Sequence, residues 1–146
     1  MTIKPNTQEL EQTARMVGLE IEIMDTESSD KYINRVIETF KPFRSTGHFS
    51  IGGTAITIAL EGNEYSYSQQ LNNAPAYIFF DQEGYDRGSV VMIKNAKLIG
   101  RLMENSFGME YFVSNEKVNF LIAVNWYVIE VAGDARKWFE AGIKQK

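Results

Sequence analysis

The sequence predicts an α+β fold, a mainly antiparallel β-sheet packed against three or four helices in a single domain spanning residues 1–146. Three observations predict it. Strand-type patterns come in runs, in the middle of the chain and again near its end, instead of alternating one for one with helical patterns. No Pro/Gly/Ser-rich linker, internal repeat or low-complexity tract divides the chain. A chain of 146 residues, 44% of them hydrophobic, builds one core and is short for two.

The first element is a helix near Thr7 to Val17, with Leu10, Ala14 and Val17 at helical spacing and Gly18 as its stop. Leu19, Ile21 and Ile23 then alternate with Glu20, Glu22 and Met24, a period of two that reads as a short strand or as more helix. Ser28 or Ser29 caps a second helix, whose stripe of Tyr32, Ile33, Val36, Ile37 and Phe40 ends at Pro42. From Lys41 to Gly53 the chain reads as loop. Thr54 to Leu60 is β-branched and alternating, and Gly62-Asn63 is a turn signal. Glu64 to Ser68 is either a partner strand showing two tyrosines on one face or a loop. Ala76 to Asp81 and Ser89 to Ile93 are apolar strands joined by a polar stretch. Lys94 to Asn105 returns to helical spacing behind Asn95 as cap. Met109 to Ser114, Asn119 to Val124 and Trp126 to Val131 read as consecutive antiparallel strands, the first two joined by Asn115-Glu116-Lys117. Gly133-Asp134 opens a last helix carrying Trp138, Phe139 and Ile143. The helices are expected on one face of the sheet.

The totals narrow the function. With no cysteine there are no disulfides, thiolate metal sites or cysteine nucleophiles. Met1 to Asn6 holds no apolar run of the signal-peptide kind, and Phe120 to Ala132 is too short and too polar to span a bilayer, so the expected location is the cytoplasm, with no membrane partner. Net charge is −4 and pI about 5.1, which argues against nucleic acid as a partner. Residues 1–73 carry six basic and ten acidic side chains, whereas 74–146 carry nine of each. Most of the excess lies between Glu9 and Asp30. It reads as a solvated helical face or as an acidic docking surface for a basic partner.

Catalytic patterns are missing. His48 stands alone in its loop, and Gly47, Gly52 and Gly53 match neither a P-loop nor a dinucleotide fingerprint. Asp81, Glu83 and Asp86 form the best carboxylate cluster, a candidate for a hard cation or for hydrolysis, but without the EF-hand pattern. A solvated loop is the simpler reading. No catalytic residue, metal or cofactor is therefore assigned. Aromatic residues make up 12% of the chain. Of these, Tyr65, Tyr67 and Tyr85 sit in polar surroundings and are candidate interface anchors.

The runs Leu98 to Met103, Gly108 to Ser114 and Phe120 to Asn125 resemble small bacterial proteins of the immunity or antitoxin-like kind, over roughly residues 74–133. The resemblance implies a cytoplasmic protein that neutralises a toxin by binding it, and it transfers no catalytic residue. The expectation is thus a non-catalytic binding protein, an immunity protein that occludes the active site of a basic toxin domain. Glu20, Glu22, Asp25 and Glu27 would supply charge, with Tyr65, Tyr67 and Tyr85 as anchors. The alternative is a small-molecule-binding or regulatory domain with a pocket between sheet and helices. Oligomeric state is not fixed by the sequence.

Overall fold

The computed structural model describes residues 4–41 and 55–142. The predicted loop with Gly47, His48, Gly52 and Gly53, together with Pro42, Thr54 and Ile143, lies outside the described residues.

Helix α1, Pro5–Val17, starts on a proline, whose missing N–H is not needed there. It stops at Gly18, left-handed at φ 76°. Strand β1 is Ile21–Ile23. Helix α2, Thr26–Phe40, begins earlier than the serines suggested. Its cap is Asp25, whose carboxylate accepts the Ser28 N–H at 2.8 Å. Strand β2 is Ile56–Ala59. The stretch after it is no strand: it turns into a 3-10 helix at Tyr67–Gln70. Strands β3, Ala76–Phe79, and β4, Val90–Ile93, follow. The next helical segment divides into a 3-10 turn, Ala96–Leu98, capped by Asn95 as expected, and helix α3, Ile99–Glu104. Strands β5, Tyr111–Ser114, β6, Phe120–Val124, and β7, Val128–Gly133, precede helix α4, Ala135–Gly142.

The seven strands among the described residues form one antiparallel sheet in the order β1-β4-β3-β5-β6-β7-β2. The predicted α+β fold with its antiparallel sheet is thus the observed one, in a single domain. Successive strand residues serve opposite faces. On one face Ile78, Val91, Tyr111, Ile122 and Val131 pack with Leu10 and Ala14 of α1, Ile99 and Leu102 of α3, and Phe139 of α4. On the other, Phe79, Val90, Phe112 and Leu121 pack with Tyr32, Ile33 and Val36 of α2. The expectation of helices on one face is therefore corrected. β5 and β6 are apolar on both faces, and α2 covers the second. Tyr32 anchors it, stacking on Tyr77 at 4.7 Å and donating its hydroxyl to the Asn115 carbonyl at 2.7 Å.

One close approach fixes the layer above the first face. A β-carbon on Gly100 would collide with the Tyr65 carbonyl. Only glycine there lets the 65–70 turn settle onto α3. Ser68, fully buried, locks the contact by accepting the Gly100 N–H at 3.0 Å and donating to the Lys97 carbonyl at 3.0 Å.

Candidate functional site

β1 forms one edge of the sheet and is the element that gathers the predicted acidic residues. Its register sets Ile21, Glu22 and Ile23 opposite Ile93, Met92 and Val91 of β4. Lys94 donates to the Glu20 carbonyl at 3.3 Å, and Met24 donates to the Val90 carbonyl at 3.0 Å. The inward-bonding residues are therefore Glu20, Glu22 and Met24. The backbone N–H and C=O of Ile21 and Ile23 point outward along the edge, and no hydrogen bond covers them among the described residues.

Two clefts flank this strand. One, about 400 Å³, lies between β1 and α1 and is lined by Glu11, Ala14, Arg15, Leu19, Glu20, Ile21, Glu22, Ile23 and Lys94. The other, about 230 Å³, lies on the α2 side and is lined by Glu22, Met24, Asp25, Ser28, Tyr77 and Met92. Glu22 borders both. Three of the four predicted carboxylates, Glu20, Glu22 and Asp25, thus meet around one strand, while Glu27 stands on α2 in an exposed i,i+4 pair with Lys31. Glu20 pairs with Lys94 at 3.1 Å, with both side chains largely in solvent, and such a pair contributes little stability. Asp25 has a second task as the cap of α2. The Ser28 N–H and hydroxyl hold its carboxyl below the usual carboxylate range.

The tyrosine anchors separate. Tyr85 is 73% exposed and Tyr65 is exposed beside the Gly100 contact, but Tyr67 is only 1% exposed. Its place as a surface anchor is corrected. Its hydroxyl bonds the Tyr111 hydroxyl at 2.7 Å and its ring stacks on Phe139. The settling of the 65–70 turn onto Gly100 carries Tyr67 into the core.

Tyr85 instead belongs to a third cleft, about 320 Å³, at the end of the sheet. Phe80 and Met109 form its apolar wall, and Trp126, 49% exposed, stands across it over Gly108. Trp126 and Tyr127 were expected in a strand. They form the exposed tip of the β6–β7 hairpin, because the Asn125 side chain accepts the N–H groups of Tyr127 and Val128 at 2.7 and 2.9 Å and closes a turn. Phe107 is a further exposed ring that the sequence did not single out. An asparagine directly after an apolar run was the signal for the hairpin tip.

The carboxylate cluster of the same loop does different work from the one considered. Asp86 is 4% exposed and accepts the N–H of Asn6 at 3.1 Å and both the N–H and the hydroxyl of Thr7 at 2.9 Å. It caps α1, whose own N-cap residue, Lys4, makes no side-chain cap bond. One oxygen of Asp81 accepts the Glu83 N–H at 2.8 Å. Among the described residues no group of three potential ligands is placed to hold a metal. None of the described helices is long and apolar enough to cross a membrane.

No family model matches this chain, and no curated protein or solved structure matches it. The likeness to immunity and toxin-inhibiting proteins is corrected on that finding. It rested on the apolar texture of residues 74–133, and that texture is what β3 to β7 require as the doubly covered centre of the sheet.

Proposed function

We propose that this chain is a non-catalytic binding protein that receives a basic surface of a partner protein on the β1 edge of its sheet. The observation that carries the reading is the position of Glu22, on an edge strand and between two clefts, with Glu20 and Asp25 beside it. Complementary charge speeds encounter and excludes acidic partners. The concentration of acidic residues in the first half of the chain supports the same direction. The test compares the immobilised chain with its E20K/E22K variant in extract of the source cells, at low salt and at about 0.5 M salt, where exposed charges are largely screened. Asp25 is left intact because it caps α2. Proteins held by the parent chain, released by salt and not held by the variant are the expected result. Identical retention by both chains, or none by either, overturns the reading.

The sheet-end cleft favours a second reading, a small-molecule site, since Tyr85 and Trp126 flank an apolar wall there. A ligand for it raises the melting temperature of the parent chain and not of W126A.

A further inference from the structure

We infer that β1 accepts an extended segment of another protein as an additional antiparallel strand, and that this segment alternates apolar with basic residues. The inference rests on the basic-partner reading above and adds its geometry. Ile21 and Ile23 direct their N–H and C=O groups away from β4. An antiparallel strand beside them exchanges two bonds with each, as in any hydrogen-bonded pair of a ladder. The sheet is antiparallel throughout, so such a strand continues its pattern.

Side-chain alternation then assigns the chemistry of the incoming segment. Residues opposite Ile21 and Ile23 share their face, the side of α1, and meet the cleft walled by Ala14 and Leu19. Those residues are apolar. Residues in between share the face of Glu20 and Glu22; Glu20 already pairs with Lys94, so Glu22 is the carboxylate that selects a basic residue there. The opposite edge of the sheet offers no such code, because β2 reads Ile56-Thr57-Ile58-Ala59 and carries no charge.

A second copy of this chain is a poor occupant. Self-pairing that uses both Ile21 and Ile23 must centre on Glu22, which sets two Glu22 side chains directly opposite each other. Like charges in that position destabilise a strand pair. The same carboxylate that attracts a basic strand thus turns away its own kind, and a three-residue edge is already short.

The probe is a blocked heptapeptide of alternating arginine and valine, titrated into the 15N-labelled full chain. Three companions accompany it: the peptide N-methylated at its valines, the peptide with glutamate for arginine, and the I23P variant of the protein. Proline at position 23 removes one outward donor and leaves the β4 ladder bonds in place, which the amide protection of Glu22 and Met92 verifies. The expected result is shifted and slowly exchanging amides at Ile21 and Ile23. N-methylation weakens binding about 25-fold, given a loss of about fivefold for each of the two N–H···O bonds removed. The glutamate peptide does not bind, and I23P binds more weakly than the parent. Equal binding of the N-methylated peptide, or unchanged Ile21 and Ile23 amides, overturns strand addition and leaves the basic-partner reading standing. Failure of the parent peptide to bind at millimolar concentration also overturns it. Binding that survives E20K/E22K sinks the basic-partner reading itself.

Discussion

The capping of α1 from the β3–β4 loop yields the sharpest stability prediction. Asp86→Ala removes three hydrogen bonds at 2.9–3.1 Å that a nearly buried carboxylate accepts from Asn6 and Thr7. A helix cap is worth about 1 kcal/mol and up to about 2. Hydrogen bonds to a charged acceptor contribute about 1.5–3 kcal/mol, and a buried donor left without a partner costs about 1–3 kcal/mol. Thr7 is itself buried, so water from the neighbouring cleft replaces only part of the lost acceptor for its N–H and hydroxyl. Relief from burying the carboxylate offsets part of the loss, and about 3 kcal/mol remains. With a urea m-value near 2 kcal/mol/M, the unfolding midpoint falls by about 1.5 M. Asp86→Asn keeps one acceptor oxygen and loses the charge facing the helix N-terminus, so its loss is about half as large. Urea unfolding followed by circular dichroism measures both. A change below about 0.5 kcal/mol for Asp86→Ala would refute the reasoning, because it would mean that α1 is held by its apolar face alone.

Two further outcomes follow from the buried tyrosines. Tyr67→Phe leaves the Tyr111 hydroxyl without its partner inside the core and destabilises by about 1–2 kcal/mol, whereas Tyr67→Phe combined with Tyr111→Phe recovers much of that loss; thermal unfolding of the three variants checks it. Burial pushes the hydroxyls of Tyr32, Tyr67 and Tyr111 well above the ordinary phenolic value near 10. The folded chain therefore holds these protons after the unfolded chain has released them. The stability they contribute is full below pH ~10 and declines as pH rises toward the raised values. Absorbance titration should show these three of the seven tyrosines ionising only as the sheet unfolds; smooth titration of all seven with the ellipticity unchanged refutes it.

What the sequence made legible was local. Gly18 as a helix stop, Asn95 as a cap and the Asn115 turn all act within a few residues, and all stand where the pattern put them. The edges of the sheet were not legible. β1 joins β4 and β2 joins β7, each across about 70 residues, and nothing in a strand pattern names its neighbour. Tyr67 shows the same limit: its alternation with Tyr65 suggests one exposed face, yet a glycine over 30 residues later decides that it turns inward. Asp86 was read with its loop neighbours, although its partners lie at the start of the chain. At the candidate site the exposure of Glu20 and Glu22 followed from their polar alternation, but their place on a sheet edge between two clefts required the topology.

The central strands, β3 to β7, are contiguous in the chain from Ala76 to Gly133, and both flanking strands precede them. Synthesis from the N-terminus therefore delivers β1 and β2 before either has the neighbour it must lie against. Long-range pairing of this kind is slow, and strands awaiting it are prone to wrong contacts. The half that emerges last is the template for the half that emerges first.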